Sequence, residues 1–110
     1  MNKMFFESDG MNWEILDAKV SRQIMGYDDR IMLVKVRFEK GGIGALHQHE
    51  HSQTSYVAEG TFEVTIGEQK MILRKGDSFH VPSNEMHGVC CLEAGLLIDN
   101  FSPVRADFLE

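Results

Sequence analysis

An all-β fold with little helix is predicted by three observations. Apolar residues recur with period two rather than 3.6, the strand-like stretches are short, and turn residues separate them at near-regular intervals. The clearest stretch is 31–39, where Met32, Val34, Val36 and Phe38 fall on one face while Lys35, Arg37 and Glu39 fall on the other. That is a half-buried strand. Thr61 to Ile66 repeats the pattern, with Phe62, Val64 and Ile66 inward and Thr61, Glu63 and Thr65 outward; Gly67-Glu68 then reads as a tight turn into Met71-Ile72-Leu73, closing a hairpin. Further strands are expected at 13–16, 20–25, 54–58, 78–81, 88–92 and 96–101. Turn chemistry divides them at Tyr27-Asp28-Asp29, Gly41-Gly42, Glu59-Gly60, Lys75-Gly76-Asp77, Pro82-Ser83-Asn84 and Glu93-Ala94-Gly95. A helical turn is offered only near Val104 to Leu109. Such a set of strands specifies a sandwich or a barrel.

The 110 residues correspond to one domain, 1–110, long enough to bury roughly 65% of the surface its unfolded chain exposes. With 43% hydrophobic and 25% charged residues and 2 prolines, a packed core is expected rather than disorder. Eleven Lys and Arg against 17 Asp and Glu give a net charge of −6, which argues against nucleic acid as a partner. Apolar runs such as Ile31-Met32-Leu33-Val34 are far below the ~20 residues that cross a bilayer, so no membrane partner is expected. Met1 to Phe6 carries one lysine and is followed at once by acids, with no apolar stretch of signal-peptide length. A cytoplasmic protein is expected. Cys90 and Cys91 are neighbours whose side chains point to opposite faces of a strand, so both are read as reduced thiols.

Three of the five histidines fall at 47, 49 and 51. On a strand, His47 and His49 project to one side with Cα atoms about 6–7 Å apart, close enough for two imidazoles to converge on one cation. A pair like this is also what a polar strand surface looks like. Positions 47, 49, 51 and 53 cannot all reach one ion from a straight strand, because six residues extend ~20 Å; the chain must turn between them. The wider spacing adds weight to the ligand reading. Gly41, five residues, His47-x-His49, then Gln53, six residues and Gly60 match the first motif of the cupin superfamily, with glutamine where glutamate is usual. Gly76, five residues, Pro82 and then His87 match the second. The stretch from 41 to 91 therefore resembles a cupin, which implies a jelly-roll barrel of the RmlC-like kind bringing His47, His49, Gln53 and His87 to one divalent ion. Asn84 stands where the second motif usually has glycine, and Cys91 where it often has asparagine.

Four neutral ligands would leave nearly the whole +2 charge in place and attract an anion. Glutamate at 53 would instead give the two-His-one-carboxylate set of non-haem iron oxygenases, so its absence weakens that reading. Imidazole and amide ligands suit nickel, zinc, iron, cobalt or manganese alike. His51 is expected in the turn after the metal-binding strand and His80 in the strand before Pro82, both in structural or solvent-facing roles.

Near the C-terminus, Asp99 and Phe101 share a strand face, and the Ser102-Pro103 corner folds Arg105 back towards it. Beside a metal these would supply a proton-transfer group, an apolar wall and a carboxylate clamp; alone they read better as an edge-strand Asp–Arg pair with a core phenylalanine. Here the chain resembles the small pectin-degradation cupins of the KdgF type. The likeness runs through His47-Gln48-His49-Glu50-His51-Ser52-Gln53-Thr54 and Asp99-x-Phe101-Ser102-Pro103-x-Arg105-x-Asp107-Phe108, and through Gly26-Tyr27, 32–36 and 60–65. It implies an enzyme that converts 4,5-unsaturated uronates, released by pectate or alginate lyases, to the linear ketonised sugar acid. It also implies that His47, His49, Gln53 and His87 hold the metal while Asp99, Phe101 and Arg105 serve as active-site residues. Asp99 would transfer protons, Phe101 would shape the pocket, and Arg105 with the metal would anchor the carboxylate. Cupins of this size are commonly homodimers, and the apolar N-terminal strands suit such contact. The competing readings are a non-catalytic sugar-acid-binding cupin and a metal-dependent isomerase or dioxygenase acting on another small molecule.

Overall fold

The computed structural model describes residues 3–110; Met1 and Asn2, which open the N-terminal stretch read above, lie outside them. Eight strands follow in order: β1 (Glu14–Asp17), β2 (Val20–Tyr27), β3 (Met32–Phe38), β4 (Ile43–His47), β5 (Ser52–Ile66), β6 (Gln69–Arg74), β7 (Ser78–Val81) and β8 (His87–Ser102). Short 3₁₀ turns lie at Ser8–Gly10 and Ala106–Leu109. All strand pairs are antiparallel. No helix among the described residues is long and apolar enough to cross a membrane.

The long strands β5 and β8 run beside each other and take part in both faces of the barrel. Where β8 carries Gly95–Phe101 it pairs with β3, and there the order is β1-β2-β3-β8-β5-β7. Where β8 carries His87–Cys90 it pairs with β4, and the order becomes β4-β8-β5-β6. The change-over falls at Glu59-Gly60 and Glu93-Ala94-Gly95, which the sequence reading took as chain-reversing turns. They are bends instead, marked by register shifts between Val57 and Phe62. Gly60 has φ +85°, and a Cβ there would lie 2.6 Å from the carbonyl oxygens of Glu93 and Ala94. Its conformational freedom kinks the strand and lets the two backbones touch without breaking the ladder. Each expected strand pair flanking a bend is thus one continuous strand. Thr61, placed outward by alternation, is buried for the same reason: the bulge turns it inward, where its hydroxyl donates to Glu93 Oε1 at 2.5 Å.

The rest of the alternation survives. Met32, Val34 and Phe38 are buried on β3 and Phe62 and Val64 on β5. Phe38 and Phe62 meet edge to face at 5.2 Å within a cluster that includes Val20, Val57, Cys91 and Leu97, a geometry worth about 1 kcal/mol beyond area burial. A second cluster, Met32, Val34 and Phe101 packed by Val104 and Phe108, closes the end of the barrel that carries the histidines. Both cysteines are free thiols.

Candidate metal centre

His47 ends β4 directly across the ladder from His87, the first residue of β8. The approach is close because Gly88 has no side chain: a Cβ there would meet the Gly44 carbonyl at 2.8 Å. His49 lies in the turn between β4 and β5, and its carbonyl accepts from Asn84 N–H at 2.7 Å. Asn84 adopts φ +66°, a left-handed conformation that asparagine tolerates, which accounts for asparagine where glycine is usual. The chain does turn between 47 and 53, as the reach argument requires, and the imidazole centroids come within 4.2 Å (47–87), 4.8 Å (49–87) and 5.4 Å (47–49). One ring nitrogen from each histidine lies within 4.8 Å of the others.

The hydrogen bonds behind the rings fix their chemistry. Nδ1 of His47 faces the Ala45 carbonyl at 2.8 Å, Nδ1 of His49 the His51 carbonyl at 2.9 Å, and Nδ1 of His87 the Glu85 carbonyl at 2.9 Å. A carbonyl only accepts, so each Nδ1 carries the proton and each Nε2 presents a lone pair. Burial lowers the His87 pKa to about 4 and, with Arg105 nearby, lowers that of His49, so these imidazoles stay neutral near pH 7. His87 Nε2 is buried without a hydrogen-bond partner. Gln53 Oε1, from the start of β5, lies 3.0 Å from His49 Nε2; two lone pairs face each other with no proton between them. These side chains fit a divalent cation, which turns converging acceptors into a coordination set.

On β5 and β8, Gln53 stands opposite Phe101 and Ser55 opposite Asp99. Asp99 and Phe101 therefore share the inner face, as expected. Burial raises the Asp99 pKa to about 6, against the opposing pull of a Ser55 hydrogen bond and the Arg105 charge. Arg105 returns over the rings of Phe101 and Phe108, at 5.1 and 4.2 Å. Its Nε and Nη2 donate to Asp107 at 3.1 and 2.9 Å, which holds the Asp107 carboxyl below its ordinary range. Only the other edge of the guanidinium is left for a ligand. A cavity of about 310 Å³ is lined by His47, Gln53, His87, Asp99, Phe101 and Arg105, so the acid, the ring and the guanidinium open onto the same space as the ligand cluster. His51 sits in the turn with Nδ1 buried and unpartnered, and His80 is exposed on β7.

Three contributors escaped the sequence reading. Ser55 links Gln53 to Asp99, and its only signal is shared parity with Gln53 on one strand. Asp107 braces Arg105 from two residues away. Arg22, on β2, also lines the cavity, with its guanidinium 3.8 Å from the Phe108 ring and its charge met by Glu14 at 2.8 Å.

A family model for the cupin domain matches residues 34–94. The chain is 49% identical to the pectin degradation protein KdgF of Dickeya dadantii (strain 3937), over 97% of this chain and 99% of that protein. Two solved structures superpose closely. An RmlC-like cupin from Shewanella frigidimarina has TM-score 0.94 and 41% identity, covering 97% of this chain and 96% of the other. KdgF from Halomonas sp. has TM-score 0.92 and 40% identity, with coverage of 96% and 99%. Motif spacing, barrel topology and these likenesses agree: the chain belongs to the cupin family, among the pectin-degradation cupins of the KdgF type.

Proposed function

We propose that the protein converts 4,5-unsaturated uronates to the linear ketonised sugar acid, with one divalent metal ion held by His47, His49, Gln53 and His87. The observation that carries this reading is that four converging acceptors, a buried carboxylate whose pKa is raised and a guanidinium meet at one cavity. Its volume, about 310 Å³, is at the small end for ligand sites and suits a monosaccharide rather than a polymer. A relative that takes part in pectin degradation points to the same substrate class.

The substrate is a cyclic enol ether with a carboxylate on its double bond. A proton added at C4 and water added at C5 give a hemiketal. Breaking the bond from C5 to the ring oxygen then leaves a 5-ketone, and that oxygen departs as a hydroxyl on the hydrated C1 aldehyde. The free edge of Arg105 anchors the carboxylate and fixes the ring's orientation. Asp99, whose pKa burial raises towards neutrality to about 6, delivers the proton to C4. Phe101 forms the apolar wall that keeps bulk water from the reacting face. A bound metal supplies positive charge that polarises the ligand's oxygens.

The enol ether absorbs in the ultraviolet, so accelerated loss of that absorbance on adding metal-loaded protein to unsaturated galacturonate is the expected result. Saturable binding without loss would make the protein a sugar-acid-binding module instead. We further infer a homodimer, supported by Ile15 and Leu16 exposed on the edge strand β1, to be checked by mass in solution. A cytoplasmic location is supported by the two free thiols.

A further inference from the structure

Behind the candidate ligands runs an unbroken buried chain of hydrogen bonds. Gln53 Nε2 donates to Ser55 Oγ at 3.0 Å, and Ser55 Oγ donates to Asp99 Oδ1 at 2.5 Å. Ser55 is 1% exposed, Gln53 6% and Asp99 9%, so the chain runs through the interior of the barrel.

A hydroxyl has one proton and two lone pairs. Ser55 lies directly across the ladder from Asp99, and a contact this short is typical of a hydroxyl donating to a carboxylate. With its proton committed there, Ser55 has only lone pairs to offer residue 53, which must therefore be a donor. Glutamine meets that demand through its amide N–H. An ionised glutamate would not: it would set two buried carboxylates against one proton. With the amide nitrogen turned to Ser55, Oε1 necessarily faces His49. The same bond reserves Asp99 Oδ1 as an acceptor and leaves Oδ2 as the oxygen that takes up and gives away a proton.

We propose that Ser55 is a positioning residue which sets both the face Gln53 turns towards the histidines and the carboxylate oxygen through which Asp99 moves its proton. The inference rests on the metal-dependent uronate reading above and adds a reason for glutamine at 53. If the Ser55 hydroxyl is lost, the Gln53 amide is free to flip its nitrogen towards His49 Nε2, where it would be a hydrogen-bond donor and not a metal ligand.

The test compares unmutated protein, Ser55→Ala and Ser55→Thr by zinc competition against a chromogenic chelator, and by turnover of unsaturated galacturonate. Ser55→Ala is expected to weaken zinc binding ~10- to 100-fold, the span usual for groups that orient metal ligands, and to lower kcat with KM nearly unchanged. Ser55→Thr keeps the hydroxyl and should hold zinc within about threefold of the parent, well short of that span. A parental competition curve for Ser55→Ala overturns the proposal, and so does a threonine variant as weak as alanine. If the alanine variant does not fold, Ser55→Cys, a near match in shape with a poor donor, takes its place under the same criteria. Unmutated protein that binds zinc yet leaves the uronate absorbance untouched ends the substrate reading, while the zinc comparison still decides the role of Ser55.

Discussion

An Asp99→Asn substitution isolates what it costs to hold a carboxylate inside this barrel. The folded pKa is raised to about 6, whereas an unfolded aspartate titrates near 3.9. The folded protein therefore binds more protons than the unfolded chain between those values, and stability from this group falls as pH rises through the window. Above it the difference between the folded and unfolded values corresponds to a destabilisation on the order of 3 kcal/mol. His87, lowered to about 4, works oppositely, losing stability as pH falls below ~6.5, but it is common to both proteins and cancels in their difference. In metal-free urea unfolding, Asp99→Asn should gain on the parent by a few kcal/mol between about pH 4 and pH 8, a gain that a flat difference would refute. The variant should also lose turnover while keeping its metal content. That His47, His49, Gln53 and His87 converge was legible because motif spacing reports residues that face one point, and that Asp99, Phe101 and Arg105 open onto the same cavity was legible from strand parity and the corner at Pro103. Ser55 was not, since a serine that serves another side chain carries no spacing of its own, and the motif that includes Asp107 does not state what Asp107 does. Nor does alternation reveal that Asp107 takes one edge of the Arg105 guanidinium.

Among the elements, β5 and β8 explain both what was read correctly and what was not. Alternation located their inward residues, yet Glu59-Gly60 and Glu93-Ala94-Gly95 looked like reversals. Local turn chemistry cannot tell a loop from a bulge, because both call for glycine and polar neighbours; only the partner strand decides. Gly95 shows how tight that crossing is, since a Cβ there would overlap the Glu59 carbonyl. Backbone on both sides has nowhere to move, so Gly95→Ala is expected to cost about 3 kcal/mol or more in urea unfolding. A loss under ~1 kcal/mol would show that the crossing has slack. Because His87 and Asp99 lie on opposite sides of this bend in one strand, the substitution should disturb zinc affinity and turnover together.

For the molecule as a whole, a net charge of −6 sets a repulsive long-range field for any anion, so the proposed sugar acid would have to be captured by charges inside the cavity, at distances where salt screens them little. The candidate ligands also belong to separate parts of the chain. His47 ends β4, Gln53 lies at the start of β5 and His87 opens β8, while His49 holds the turn between the first two. A cation gripping all four ties strands from both faces of the barrel at one end. Binding to the folded state alone then adds about 2.7 kcal/mol at a hundred times the dissociation constant. A chelator should lower Tm by several degrees with a single cooperative transition, whereas an unchanged Tm would place the ion outside this cluster. Scarcity of that ion would thus reach beyond chemistry: chains lacking it open more often and meet proteases sooner, so the cell's supply of metal would govern how much of this protein persists as well as how fast it works.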